Sequence, residues 1–166
     1  TSGLSSYAIS AVDNAIWDLK GKLLGYPVYK LLGGPVRDSI FCYASNTVLT
    51  YSTKDNIDWF LELGFKAVKV FLRHGPDEGI AGLHKNEEIV AKAREQIGPD
   101  IELAVDSWMS LNVEYAVRIV EALKPYKIKW LEDYFLPEDM VSYTNFRARV
   151  PGQTLATGEH WYSIRP

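Results

Sequence analysis

TLATGEHW, residues 154–161, begins as a short apolar run and leads directly into an acidic residue, Glu159. The same arrangement occurs twice earlier in the chain, in IELAVD, which ends on Asp106, and in KIKWLED, which reaches Glu132. The three acids are 26 and 27 residues apart. This regular spacing indicates a structural unit that is repeated along the chain and ends each time in a carboxylate.

The rest of the chain has a pattern of alternating strands and helices. Each predicted strand with its following helix takes about 25 to 35 residues, which is typical of βαβ units and a parallel sheet. The sequence therefore predicts an α/β fold. The predicted strands are residues 41–44, 67–72, 103–105, 129–131 and 154–156, and the predicted helices are residues 55–63, 86–97, 113–123 and 138–149.

Two kinds of α/β fold share this pattern, the doubly wound open sheet and the (β/α)₈ barrel. In a barrel, the side chains at the carboxyl ends of successive strands converge on one mouth, whereas an open sheet spreads them along a line. Three acids at three consecutive strand ends favour the barrel. A complete barrel has eight strands in about 250 residues. Because five strands are predicted here, we expect part of a barrel.

An amphipathic helix is predicted before the first strand. Its apolar residues recur at steps of three and four, and Gly25 and Pro27 follow the last of them. A short helical turn, VYKLLGG, comes next. The apolar face of the predicted helix consists of Ile9, Val12, Ile16, Leu19 and Leu23.

Composition excludes several classes of protein. The chain has 166 residues, a net charge of −3 and 47% hydrophobic residues, which is enough material for one packed core. No apolar run approaches the ~20 residues that a membrane helix needs, and Lys and Arg are mixed with Asp and Glu rather than gathered into a basic stripe. Cys42 stands alone, so no internal disulfide can form. We expect a cytoplasmic protein that binds neither membranes nor nucleic acid.

Three convergent carboxylates need a positive charge nearby. Two ionised carboxylates about 4 Å apart repel each other by about 4 kcal/mol at an effective dielectric constant of 20. A hard divalent cation such as Mg²⁺ accepts oxygen ligands and removes this repulsion. A single acid at a strand end is more often a cap or a turn residue, but the regular spacing favours a metal site formed by Asp106, Glu132 and Glu159. We expect Asp133, beside Glu132, to make a salt bridge or a turn contact.

Several stretches of the chain resemble one family. AISAVDNAIWDLKGKLLGYPVYKLLGG, GFKAVKV, AVDSWMS, WLEDY and TGEH are similar to the mandelate racemase branch of the enolase superfamily. The resemblance implies that residues 1–38 are the end of an N-terminal capping domain with a linker. Residues 39–166 would be the first part of a (β/α)₈ barrel, without its C-terminal strands. The resemblance also implies that Asp106, Glu132 and Glu159 bind Mg²⁺.

The resemblance implies a reaction as well. Family members remove the proton α to a carboxylate and use Mg²⁺ to stabilise the enediolate. Many carry Lys-x-Lys at the end of the second strand, where this chain has Lys69 and Phe71, so the second lysine is absent. LRHGP, DSWMS and GEH are more similar to sugar-acid dehydratases of the rhamnonate type, whose base lies on later strands, here beyond Pro166. We expect a homo-oligomeric, Mg²⁺-dependent dehydratase that converts an aldonic acid, its small-molecule substrate, to a 2-keto-3-deoxy acid.

Four more residues are candidates for the substrate site, each with a simpler alternative. Lys69 could contact the substrate carboxylate or occupy a base position, or it could extend to solvent at a strand end. His74 could contact substrate from the loop after the second strand, or it could be a solvated loop residue. His160 could touch substrate or support a neighbouring acid. Trp108 could contact substrate or pack as part of the wall.

Two other functions stay open from the sequence. A racemase or cycloisomerase of the same superfamily would share the metal site but use a different base. A non-catalytic, metal-binding half-barrel would have no base at all and would serve as a structural piece.

Overall fold

The computed structural model describes residues 4–45 and 53–161, which form two compact units. The first unit contains the described residues up to Phe41 together with His160 and Trp161, and the second contains those from Cys42 to Glu159. The expected domain boundary after residue 38 stays a prediction. None of the described helices is both long enough and apolar enough to cross a membrane.

The first unit is built around one long helix, α1 (Leu4–Leu24), followed by the single turn α2 (Val28–Leu31). The helix ends where Gly25 adopts a φ of +68°, a backbone conformation that glycine enters without steric cost. The predicted apolar residues do share this helix, and each is more than half exposed in the described structure. Their exposed fractions are 59% for Ile9, 61% for Val12, 58% for Ile16, 55% for Leu19 and 77% for Leu23.

The second unit is a five-stranded parallel sheet with helices between the strands. All neighbouring strands pair in parallel, as expected from the βαβ spacing. The strands are β1 (Ala44–Ser45), β2 (Ala67–Phe71), β3 (Glu102–Asp106), β4 (Leu131–Glu132) and β5 (Leu155–Ala156), and the helices are α3 (Thr53–Glu62), α4 (Gly79–Ile97), α5 (Val113–Leu123) and α6 (Met140–Arg149).

Strand order identifies the kind of α/β fold. The order in the sheet is β1-β2-β3-β4-β5, so every strand lies beside its neighbour in sequence. The helices also contact one another in chain order, α3 with α4, α4 with α5, and α5 with α6. A doubly wound sheet reverses direction at a switch point and has helices on both faces, whereas a barrel adds each βα unit in the same direction. The sequential order confirms the barrel-type fold, represented among the described residues by five strands with a helix after each of the first four.

The two faces of the sheet differ in chemistry. Side chains alternate between the faces along each strand, and paired residues point the same way. One face carries Lys69, Asp106 and Glu132, and the other is apolar and packs on the helices. The apolar face and the helical side of the core include Val68, Val70, Val90, Leu103, Val105, Ile119, Leu131 and Phe146, each at most 1% exposed.

Each strand and helix predicted for the second unit is present, but most of their ends differ from the predicted ones, usually by one to three residues. Helix α5 has the predicted bounds, while α4 begins at Gly79 rather than at residue 86. The two glycines in GIAG lower the helix propensity of this first turn, but a Cβ at Gly82 would lie only 2.6 Å from the Cβ of Glu78, too close without a shift of the chain. Strand β1 includes only the last of the residues predicted for it, and Asn46, at the end of the stretch IFCYASN, lies outside the described residues.

Candidate metal and substrate site

The site face carries two acids at the carboxyl ends of adjacent strands. Asp106 is the last residue of β3 and Glu132 is the last residue of β4, and the two are register partners. On the other side, Asp106 pairs with Phe71, the last residue of β2. Three strands therefore end at one level, and the sheet itself places the two carboxylates side by side.

Lys69 connects these two carboxylates. Its Nζ lies 2.9 Å from Asp106 Oδ2 and 2.7 Å from Glu132 Oε1. Lys69 is only 5% exposed, so it is a buried cation between two acids and does not extend to solvent. Its Nζ also lies 5.4 Å from the centre of the Tyr43 ring and 5.5 Å from that of Phe71, which adds favourable cation–π contacts.

The remaining oxygens of the two acids have donors as well. The backbone N–H of Trp108 donates to Asp106 Oδ1 at 3.0 Å, and the indole Nε1 of Trp130 donates to Glu132 Oε2 at 2.8 Å. Every carboxylate oxygen of Asp106 and Glu132 thus has a protein donor, so the orientation of both groups is set before any ligand arrives.

Burial and charge act in opposite directions on these groups. Burial on its own would lower the pKa of Lys69, but the hydrogen bonds and charges of Asp106 and Glu132 outweigh it and raise that pKa above its ordinary value. Burial raises the pKa of Asp106, and Lys69 partly offsets this. The two acids therefore favour the protonated, cationic form of the Lys69 amine.

Glu159 lies farther along its strand end than the other two acids. The register partner of Glu132 is Ala156, so Glu159 follows the end of β5 by three residues. It is exposed, and one of its carboxylate oxygens lies within 4.8 Å of one from Asp133. Two ionised carboxylates at that separation repel by about 3 kcal/mol at an effective dielectric constant of 20.

The predicted ligands thus form two neighbouring parts rather than one compact triad. Asp106 and Glu132 are held by Lys69, while Glu159 lies beside Asp133, and the three acids do not form a group of described residues with ligand atoms all within 4.8 Å. The donor set consists of carboxylate oxygens, which suit Mg²⁺. A cation bound to Asp106 Oδ2 and Glu132 Oε1 would replace the contacts that Lys69 makes there.

The structure describes the surroundings of the other candidate residues to different extents. His74, in the loop after β2, is partly buried, and its Nδ1 lies 2.7 Å from Glu78 Oε1. Trp108 is 64% exposed in the part of the chain that the structure describes, and its φ of 43° marks a strained turn directly after β3. His160 belongs to the first compact unit, and its role stays a prediction.

Sequence reasoning missed three residues that support the acids. The sequence predicts Trp130 only as part of a strand, although its alternation with Glu132 places both on one face. Ser107 donates through its backbone N and its Oγ to the backbone oxygen of Glu132, at 3.0 and 2.9 Å. A salt bridge or a turn contact was expected for Asp133, but its Oδ1 instead accepts from the N–H of Gly158 at 3.3 Å, 25 residues farther along the chain.

A sequential parallel sheet with acids at its carboxyl edge defines the class, a (β/α)-barrel-type protein with its site at the strand ends. The sequence matches the family described as enolase C-terminal domain-like over residues 53–166, and the N-terminal domain of the mandelate racemase / muconate lactonizing enzyme family over residues 3–33. The chain therefore belongs to the mandelate racemase and muconate lactonizing enzyme family, which confirms the resemblance found in the sequence.

Similar proteins include dehydratases and a racemase. An L-rhamnonate dehydratase of Saccharopolyspora erythraea is 50% identical over 159 residues, which is 95% of this chain and 39% of the relative. The crystal structure of rhamnonate dehydratase from Gibberella zeae complexed with Mg is 36% identical, with a TM-score of 0.84 over 96% of this chain and 37% of that one. A racemase from Streptomyces coelicolor with bound magnesium is 34% identical, with a TM-score of 0.81 over 96% of this chain and 43% of that one. The chain spans about two fifths of the length of these relatives.

Proposed function

We propose that the protein is a Mg²⁺-dependent dehydratase of an aldonic acid. The observation that carries the proposal is the pair of acids at adjacent strand ends, the buried Asp106 and the partly buried Glu132, with Lys69 between them. This arrangement offers both oxygen ligands for a metal and a cation for a substrate carboxylate. The 50% identity to an L-rhamnonate dehydratase supports the choice of reaction and of substrate class.

In this proposal the metal ligands are Asp106, Glu132 and Glu159. Bound Mg²⁺ supplies positive charge that stabilises the substrate carboxylate as it gains electron density during loss of the α-proton. Lys69, released from the acids, binds and orients that carboxylate. In that contact Lys69 serves as a cation for the carboxylate, and the α-proton goes to another residue.

The base is a residue other than the two strand-end positions of β2. Phe71 occupies the place of a second lysine and has no group that accepts a proton. We assign the base to the part of the fold that the relatives have and this chain does not span, in agreement with the expected base on later strands. The overall reaction removes the α-proton and the β-hydroxyl as one water, and the resulting enol rearranges to a 2-keto-3-deoxy acid.

The test is a screen of the complete encoded protein against five- and six-carbon aldonates, beginning with L-rhamnonate. We expect at least one to give a keto acid that reacts with semicarbazide, and we expect EDTA to abolish the activity and added Mg²⁺ to restore it. Glu132→Gln should remove both the activity and the Mg²⁺ binding seen by calorimetry.

Two outcomes would contradict the proposal. Epimerisation of any library member without keto acid formation would assign the protein to the racemases, whose representative from Streptomyces coelicolor is 34% identical. Mg²⁺ binding without turnover of any acid sugar would support the non-catalytic alternative.

A further inference from the structure

Asp133 is the most unusual residue near the site. It is only 3% exposed, and its φ of 39° lies in the left-handed region that residues other than glycine rarely adopt. Strand β4 ends at Glu132, and the backbone turns at Asp133. The turn brings its carboxylate toward the end of β5.

Asp133 joins the segments that follow three different strands. Its backbone N–H donates to the Ala156 oxygen at 3.1 Å, and its backbone oxygen accepts from the N–H of Met109, in the turn after β3. Its Oδ1 accepts from the N–H of Gly158, the residue directly before Glu159. Gly158 has a φ of +114°, so this contact uses a backbone conformation that favours glycine. Through these bonds Asp133 fixes the segment that carries Glu159.

The second carboxylate oxygen of Asp133 has no partner. Asp133 Oδ2 is buried without a hydrogen bond, and the Asp133 carboxylate lies within 4.8 Å of that of Glu159. Asp106 and Glu132 share the ammonium of Lys69, but no ion pair to Asp133 or Glu159 is present among the described residues. The uncompensated negative charge of the site is therefore concentrated at Asp133 and Glu159, where a buried oxygen lacks a donor.

We propose that Asp133 is a fourth acid of the Mg²⁺ centre, which it serves by holding Glu159 through Gly158 and by adding its own negative charge. The inference rests on the proposed function, because it takes Mg²⁺ as the cation. Asp133 is a positioning residue in this account, and its free Oδ2 increases the attraction for the cation without the need for a direct bond to it.

Asp133→Asn separates the charge from the shape of this residue. Asparagine keeps an oxygen that accepts from the Gly158 N–H, but it removes the charge. We expect calorimetry on the complete protein to show a loss of Mg²⁺ affinity of about 10- to 100-fold, which is typical when a residue that supports metal ligands is changed. The metal-free variant should unfold at a urea concentration equal to or higher than the wild type does, because the repulsion from Glu159 is removed.

Glu138→Gln is the matched control, since it removes one negative charge from an exposed acid five residues farther along. It should leave Mg²⁺ affinity within about twofold, as expected for a screened surface charge. Unchanged affinity in Asp133→Asn would overturn the proposal. So would lower affinity combined with lower metal-free stability, because that pair of results would indicate a purely structural role.

Failure of the proposed function would look different. If the wild type bound no Mg²⁺, or if Glu132→Gln bound it as tightly as the wild type, the metal centre itself would be wrong. The metal-free unfolding of Asp133→Asn would still report on the charge pair with Glu159, so the two failures are distinguishable.

Discussion

Lys69 shows how one residue can determine the state of a whole site. It is buried between Asp106 and Glu132, and it provides the positive charge that keeps two ionised acids at adjacent strand ends. A buried ion pair of this kind adds little net stability, but removal of one partner is costly because the other charge is left unpaired. Lys69 therefore stabilises the acids and competes with any other cation for them.

This competition leads to a prediction for Lys69→Met. In the absence of metal, the variant should lose about 3 to 5 kcal/mol of unfolding free energy, because two buried carboxylates lose their cation. Added Mg²⁺ should raise its melting temperature by more than it raises that of the wild type. Urea and thermal unfolding with and without Mg²⁺ would measure both effects.

Lys129→Met serves as the control for this prediction. Lys129 pairs with Glu102 at 2.7 Å, but both side chains are more than 40% exposed, so the loss should stay below about 1 kcal/mol and should not depend on Mg²⁺. Equal stability of Lys69→Met and wild type in EDTA would show that the buried ion pair does not hold the acids.

At the scale of elements, the clearest sequence signals gave correct helices and less exact strands. Helix α5 was predicted with the observed bounds, and in the structure Asn112 caps its first turn by accepting the Tyr115 N–H at 2.9 Å. Strand β4 is only Leu131–Glu132, and pairing of its neighbours decides its length. Periodicity in one segment carries no information about such partners.

The sequence also predicted the positions of some site residues better than those of others. Spacing placed Asp106 and Glu132 together, because strand register fixes both of them at the ends of parallel neighbours. It could not place Glu159, whose position depends on the turn through Thr157 and Gly158 after β5. The spacing also did not predict the position of the Asp133 side chain. That position depends on a left-handed backbone angle at Asp133, which the types of the neighbouring residues do not indicate.

Arg94, on α4, connects three elements at the opposite edge of the sheet. Its guanidinium donates to the backbone oxygens of Gly98 and Ile101, which precede β3, and to those of Tyr126 and Lys127, which precede β4. The four distances lie between 2.7 and 3.3 Å. Only a planar group with several N–H donors can satisfy so many acceptors at once.

We therefore predict that Arg94→Lys destabilises the protein, although the substitution keeps the positive charge. A lysine can serve some of these oxygens but not all four, so the unfolding free energy should fall by about 2 kcal/mol. Lys92→Ala, on an exposed side of the same helix, should change it by less than about 0.5 kcal/mol. Urea unfolding compares the two, and equal effects would show that the Arg94 bonds contribute no more than a surface residue.

In the second unit, the candidate site and the hydrogen bonds of Arg94 lie at opposite ends of the strands. The acids and Lys69 lie toward the carboxyl edge of the sheet, whereas the Arg94 cluster lies at the amino edge. Barrel proteins place their sites at the carboxyl edge and their stabilising loops at the other. Changes at one edge can therefore be made without direct contact with the other.

The stability of this unit should depend on pH in the alkaline range through Tyr134. Burial, and then the nearby Tyr143, raise the pKa of Tyr134 to about 12. Because the folded pKa lies above that of about 10 in an unfolded chain, the contribution is fully present below pH 10 and is lost as pH rises toward 12. We expect the unfolding free energy in EDTA to fall across this window by an amount on the order of 2 to 3 kcal/mol from Tyr134 alone.

Tyr134→Phe tests this assignment, because phenylalanine has no proton to lose. Its stability curve should run closer to flat between pH 10 and pH 12 and should match the slope of the wild type below pH 10. Parallel curves for the two proteins across the whole range would rule out Tyr134 as the source.

The sequential order of the strands also bears on how the protein is made on the ribosome. Each strand pairs with the one synthesised just before it, so each new βα unit finds its docking edge already formed. At about 5 to 20 residues per second, the 26 residues between Asp106 and Glu132 emerge in roughly 1 to 5 s. Lys69 is synthesised before either acid, so each buried carboxylate meets its counter-ion as it enters the nascent sheet.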